Sequence, residues 1–257
     1  MRGNLNERRT VSLEARTSYL PGMRRNQDTH AIRVQEGSER DTRAVLFTEM
    51  RGDIESTEAQ RGKSMKVLIA CEFSGIVREA FHQRGHSATS ADILPTEIPG
   101  DHYQGDVRDI LNDGWDLMIA HPPCTYLCAG GHNWMNRRPE WIPNRIKALD
   151  FVCSLLNAPI EKLALENPIG VISSQIRKPD QILRAWQFGH PYKKDICLWL
   201  KNLPKLIPLV TEKPEDLKTF DFWSTNRFTK TGGNKKSITF QGFADVMADQ
   251  WGGIDGT

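Results

Sequence analysis

The stretch Trp115-Asp-Leu-Met-Ile-Ala-His-Pro-Pro-Cys-Thr-Tyr-Leu127 decides the architecture. Residues 117–120 form a short, unbroken apolar run, the pattern of a strand buried on both faces. Two prolines follow; they donate no ladder hydrogen bond and fix their own φ, so Cys124 falls on a stiff loop just past the strand. Further on, Leu163-Ala-Leu-Glu-Asn-Pro168 has the same form: a buried strand, then Glu166 and Asn167, then a proline. A thiol and an acid that leave adjacent buried strands at the same end can share one site. The pair suits a nucleophile working beside a group that holds its substrate.

The neighbouring sequence alternates strand and helix patterns. Residues 66–70 read as a buried strand, 75–84 as a helix, 87–91 as the second strand and 107–111 as a short helix or turn. After strand 117–120 come a helix over 144–156, strand 163–165, a further helix over 182–188 and strand 197–200. The expectation is an α/β fold: a Rossmann-like doubly wound sheet that binds ligands beyond the C-terminal ends of its strands.

The first strand runs into Cys71-Glu-Phe-Ser-Gly-Ile-Val-Arg78. Gly75 lets the backbone come close to a ligand, and the helix after it offers free N–H groups. There is no full G-x-G-x-x-G, so the turn fits an amino-acid moiety better than a pyrophosphate. Asp92 closes the second strand, where a carboxylate can accept both hydroxyls of a ribose, and Asp106 follows the next short element, where it can accept from an adenine amino group. Either acid can instead cap a helix. Glycine turn, ribose acid and adenine acid together point to S-adenosylmethionine as cofactor.

At 257 residues the chain suits one large α/β domain, or one domain with tails. A mean hydropathy of −0.50 and the lack of any membrane-length apolar run lead us to expect no membrane association. Five cysteines without regular spacing do not form a disulfide framework, and a cytoplasmic setting is expected. Cys71, Cys153 and Cys197 lie in apolar patterns and read as small buried hydrophobes. Cys124 and Cys128 with His121 or His132 lack a fourth ligand at a recognisable spacing, so no metal is expected. Residues 1–64 are polar and without sustained period. They read as a disordered or loosely packed extension, or else an accessory element, ahead of a catalytic domain spanning 65–257. Lys/Arg and Asp/Glu balance at 22 each in 65–257, which gives no compositional support for a large duplex-binding surface.

With these residues in view, the chain resembles the cytosine-C5 DNA methyltransferase family over roughly 65–251. The likeness is most specific at Pro123-Cys124 and Glu166-Asn167. It implies that Cys124 is the nucleophile and Glu166 the base-holding acid. Glu72, Phe73, Ser74 and Gly75 are then the methionine-binding turn, Asp92 and Asp106 the ribose and adenine contacts, and Pro122 a further cofactor contact. Pro123, Thr125, Asn167 and Lys193 are implied on the substrate side. The segment Phe188-Gly-His-Pro-Tyr-Lys-Lys-Asp-Ile-Cys-Leu-Trp-Leu200 resembles the family's later motif. Lys194 stands there for a catalytic-site arginine, Ile196 for a second arginine and Tyr192 for a glutamine. Residues 236–248 resemble the family's closing helix.

Thr125 stands where the family usually has glutamine, and Val77 where it has a second glycine. The largest departure is length. Residues 201–235, about 35 in number, stand where sequence-reading members carry a target-recognition domain, and they are too few for a comparable core. Trp223 and Arg227 in this insertion, with Lys230, can stack on and grip a nucleotide or short single strand. The implied function is methyl transfer to C5 of cytosine in single- or double-stranded DNA. The alternatives are a free deoxycytidine nucleotide as substrate, a non-catalytic nucleotide- or nucleic-acid-binding module, and a nicotinamide-dependent oxidoreductase. A partner subunit for sequence recognition, and a compact phage- or prophage-encoded enzyme working in the host cytoplasm, go with the first reading.

Overall fold

The structure is a computed structural model that describes residues 63–129, 138–217 and 237–253. The reading of residues 1–64 as a loose extension lies almost entirely outside them, as do Trp223 and Arg227.

Seven strands form one sheet: β1 Lys66–Ala70, β2 Ser87–Asp92, β3 His102–Gln104, β4 Leu117–Ala120, β5 Lys162–Asn167, β6 Gln181–Arg184 and β7 Asp195–Lys201. Their spatial order is β3-β2-β1-β4-β5-β7-β6. Pairing is parallel from β3 through β5, whereas β7 runs antiparallel to both β5 and β6. The four principal helices are α1 Ile76–His82, α2 Ile142–Leu156, α3 Ile172–Gln175 and α4 Gln241–Gly252.

Alternation along the central strands builds a core on each face. Val67 and Ile69 of β1, with Leu117 and Ile119 of β4, join Val77 and Phe81 of α1 and Phe243, Met247 and Trp251 of α4. Leu68 and Ala70, with Met118 and Ala120, turn the other way toward Val152 and Leu155 of α2 and Trp199 of β7. Strands buried on both sides are why these segments read as continuous apolar runs. Each fully buried side chain of Phe or Leu size contributes roughly 1.5–3 kcal/mol. This is a Rossmann-like fold of the S-adenosylmethionine-dependent methyltransferase type.

Two expectations about elements need correction. Residues 182–188 do not form a helix. Residues 181–184 are edge strand β6, paired with β7, and a 3-10 turn over Ala185–Phe188 follows. Exposed Ile182, buried Leu183 and exposed Arg184 alternate with the two-residue period of a strand, and the β7 ladder outweighs the helix-like spacing of the apolar residues. The second correction is β3, which the sequence reading leaves out. Its three residues carry no apolar pattern; polar contacts hold it, with the His102 ring between Ser90 Oγ and the Leu94 carbonyl, 2.9 Å from each.

Candidate active site at the C-terminal edge of the sheet

The parallel register brings the predicted residues to one edge. Ala70 of β1 pairs with both Ala91 of β2 and Ala120 of β4, and Ala120 pairs with Leu165 of β5. Cys71, Asp92, His121 and Glu166 therefore leave four neighbouring strands at the same level. Cys71 takes the left-handed conformation at φ 60°, turning the chain sharply at the end of β1. That conformation is strained for a residue with a Cβ and recurs at functional sites. Cys71 is half-buried, and Cys153 likewise, so of the three cysteines read as core only Cys197 is fully buried. Burial, then the charges of Asp92 and Asp106, push the Cys71 thiol well above its ordinary range. Both charges thus act on the end of β1.

The turn after Cys71 is organised by Glu72. Its carboxylate is buried and accepts from the backbone N–H of Val77 at 2.7 Å and of Arg78 at 3.3 Å, and from Ser74 Oγ at 3.1 Å. Burial raises its pKa, against the pull of those hydrogen bonds. Gly75 caps α1 at φ 79°; a Cβ there would lie 2.8 Å from Arg78 Nη2. The N–H groups that would cradle a pyrophosphate are therefore taken by Glu72, which suits a phosphate-free cofactor. Asp92 accepts from the Leu94 N–H at 2.9 Å, and burial raises its pKa. Asp106 is more committed: it caps the 3-10 turn Val107–Ile110 and pairs with the Arg108 guanidinium, which holds its carboxyl below the usual range. Here the capping role is realised, and an adenine contact would share the carboxylate with Arg108.

Arg78 is a residue the sequence reading passed over. It is fully buried, and its guanidinium donates to Ser90 Oγ (3.0 Å), Thr96 Oγ1 (3.3 Å) and the carbonyls of Ile98 (2.6 Å) and Pro99 (3.3 Å), while Nε meets Glu79 at 3.1 Å. It fastens the loop that follows Asp92 to α1. The available signal was its place one turn before Phe81, on the apolar face of the helix.

In the other half, Asn167 Nδ2 donates to the Pro122 carbonyl at 2.8 Å, joining the end of β5 to the Pro-Pro-Cys loop. A short antiparallel bridge between Cys128 and Gly170 straps the two loops again, with the Val171 N–H on the Leu127 carbonyl at 2.8 Å. A Cβ on Gly170 would lie 1.9 Å from Leu127 O, so the backbones approach only because position 170 is glycine. Cys124 opens the turn, accepting from the Cys128 N–H at 2.9 Å. Its thiol stays well above its ordinary range: a hydrogen bond with the Cys128 thiol, burial, and the Cys128 and Glu166 charges raise it, and the charge of Lys194 opposes them. Pro122 is buried, while Pro123 and Thr125 are exposed beside Cys124.

Glu166 sits 3.3 Å, by its Oε2, from His121 Nδ1. Burial raises its pKa, but the His121 hydrogen bond and the charge of Lys194 outweigh that and hold it below the usual carboxylate range. The reversal of β7 explains Lys194. Because β7 is antiparallel, Asn167 pairs with Cys197, and the residues just before β7 arrive at this same edge of the sheet. Lys194 is half-buried there, whereas Lys193 is exposed. Among the described residues, Glu166 Oε1, Asn167 Oδ1 and His121 Nε2 are buried atoms with no hydrogen-bond partner. Sequence reasoning named His121 only as a metal ligand; no group of three or more His, Cys, Asp or Glu is placed to hold a metal among the described residues. No helix among them is long and apolar enough to cross a membrane.

The fold is that of the S-adenosylmethionine-dependent methyltransferase class, and its topology is compatible with a site for that cofactor. The residues present fit that cofactor: the carboxylates Asp92 and Asp106 follow neighbouring strands, beside a turn whose N–H groups are closed to phosphate. Comparison of the sequence with protein-family models and with curated proteins gives no match to either.

Proposed function

We propose that the protein transfers a methyl group from S-adenosylmethionine to C5 of cytosine, with DNA as the substrate. The observation that carries this reading is the buried, unpartnered acceptor Glu166 Oε1 at the end of the strand next to the Cys124 loop. Buried polar atoms call for partners. A free carboxylate oxygen matches the exocyclic amino group of a cytosine, and a thiol nearby matches its electrophilic C6.

In this reading Asp92 and Asp106 hold the nucleoside part of the cofactor, and the Glu72–Gly75 turn lies against its amino-acid part. When bound, S-adenosylmethionine supplies an electrophilic methyl group. Cys124 provides the activation that cytosine itself lacks. The thiol gives up its proton to the ionised Glu166 carboxylate, its sulfur bonds to C6, the C5–C6 π pair moves to C4–C5, and the C4–N3 π pair becomes a lone pair on N3. Glu166 hands that proton on to N3 as the charge develops there, and its other oxygen accepts from the amino group. Lys194 favours both the thiolate and the ionised Glu166. After C5 has been methylated, loss of its proton and expulsion of Cys124 restore the aromatic ring.

A free deoxycytidine nucleotide is the second reading. The shortness of 201–235 favours it, because a free nucleotide needs neither a recognition domain nor base flipping. In the DNA reading, Pro123, Thr125, Lys193, Trp223 and Arg227 are the substrate contacts and a partner subunit can supply sequence recognition. The test of the chemistry is covalent capture. With S-adenosylmethionine present, DNA or a nucleotide carrying 5-fluorocytosine should form an adduct at Cys124, and Cys124→Ser should form none. Absence of an adduct with the unaltered protein on both substrates would overturn the reading.

A further inference from the structure

We infer that the cleft between α2 and α3 holds the nucleotide next to the target cytosine, so that the substrate is a single strand of DNA rather than a free nucleotide; this rests on the C5 reading above. α2 carries Ile142, Ile146 and Leu149 at i, i+4 and i+7, one apolar stripe. Val152 and Leu155 of the same helix pack into the core. With Ile169 and Val171 from the loop after β5, the stripe lines a cavity of about 570 Å³. Ile142, Ile146 and Ile169 are 49%, 55% and 44% exposed. Apolar surface left open in one concave place marks a binding site.

The cavity lies one turn of chain from the nucleophile. The Cys128 N–H donates to the Cys124 carbonyl at 2.9 Å, and the next residue, Ala129, lines the cavity and donates its N–H to the Ile169 carbonyl at 2.9 Å. A strand whose cytosine reaches Cys124 therefore brings an adjoining nucleotide to this cleft. The lining suits one. Arg145 lies in the wall, held by its Nε on the Tyr126 carbonyl at 3.1 Å, and Ser174 and Gln175 of α3 complete it. Aliphatic side chains take the faces of a base, the hydroxyl and amide its edge, and a guanidinium the linking phosphate. At the start of the same helix, Tyr126 and Trp141 pack edge to face at 5.4 Å, and the Arg138 guanidinium stands 5.4 Å from the Trp141 ring. Stacking surface mixed with positive charge is the pattern of a single-strand track, whereas the core of a protein interface is depleted of charge.

Only an unpaired strand can use such a cleft. In a duplex the neighbour of the target base is stacked and paired, and the balance of 22 Lys/Arg against 22 Asp/Glu over 65–257 gives no compositional support for a broad duplex-binding face. A free nucleotide has no neighbour to place there.

The test is a binding cycle on the full chain, run without S-adenosylmethionine so that no turnover intervenes. Calorimetric titration compares a single-stranded trinucleotide, cytosine between two thymines, with the same molecule lacking both flanking bases but keeping every phosphate. The intact trinucleotide should bind about tenfold more tightly, the scale of one stacked base. In Ile146→Gln, an exposed position where the fold is retained and thermal melting checks it, that advantage should disappear. Equal binding of the two ligands by the wild type, or an advantage that survives Ile146→Gln, would overturn the assignment and return the cleft to a protein partner. Covalent capture with 5-fluorocytosine in the same trinucleotide, with S-adenosylmethionine restored, reports separately on the chemistry. An adduct at Cys124 without the flanking-base advantage would overturn the cleft assignment alone. The advantage without an adduct would overturn the C5 reading and leave the cleft as a single-strand site.

Discussion

Asn167 donates from Nδ2 to the Pro122 carbonyl at 2.8 Å, and the bond is fully buried. It holds the loop carrying Cys124 against the strand carrying Glu166, so the nucleophile and the acid are placed by one contact. Neither proline of the loop can donate a hydrogen bond, and the restraint has to come from outside it. Asn167→Ala should destabilise the protein by about 1–3 kcal/mol, the penalty for leaving a buried polar group unpaired. It should also slow adduct formation at Cys124 by more than that stability loss explains. Urea unfolding and adduct yield at a temperature where the variant is folded measure the two effects. Wild-type values in both would show that the contact does not position the loop.

Cys124 is a resting thiol rather than a standing thiolate. The Cys128 thiol, burial and the Glu166 charge all raise its pKa, and a raised pKa lowers the thiolate fraction at any fixed pH. Its alkylation rate, read by mass spectrometry on the peptide containing it, should therefore keep rising above the ~8.5 of a free thiol. Cys128→Ala removes the first of the causes and should increase the rate at pH 8. A plateau below pH 8, or a slower Cys128→Ala variant, would mean that Cys124 is already ionised.

Arg78 bears on the cofactor half. Its guanidinium holds Thr96 and the carbonyls of Ile98 and Pro99 in the loop that starts at Asp92. Arg78→Met keeps much of the volume and removes every donor. Breaking such a buried charged network costs about 3 kcal/mol or more. S-adenosylmethionine affinity by calorimetric titration should fall by about tenfold, since Asp92 would lose its fixed neighbour. Unchanged stability and affinity would make the network incidental.

Much of this was legible in the chain because the central strands are buried on both faces. Residues 66–70 and 117–120 announce themselves as apolar runs, and the polar residue at the end of each falls at the ligand edge of the sheet. That logic yields Asp92, Cys124 and Glu166. It fails where packing is not apolar. β3 is held by the His102 ring, and β6 by its ladder to β7, so neither carries the unbroken apolar run of the central strands. Arg78 looks like a surface residue until its hydrogen bonds are seen. His121 was visible only as a metal ligand, because its contact with Glu166 depends on the β4–β5 register. The reversal of β7, which delivers Lys194, is likewise a tertiary fact. It follows from pairing between Asn167 and Cys197 across a connection that no local pattern encodes.

The most direct test is tritiated methyl transfer from S-adenosylmethionine to duplex DNA, single-stranded DNA and dCMP in parallel, with Cys124→Ser as the control. The account predicts label at cytosine C5 in DNA, abolished by Cys124→Ser. Label on dCMP alone would contradict DNA as the substrate, and label on none of the three, or label that survives Cys124→Ser, would contradict the assignment of Cys124 and Glu166 to this chemistry.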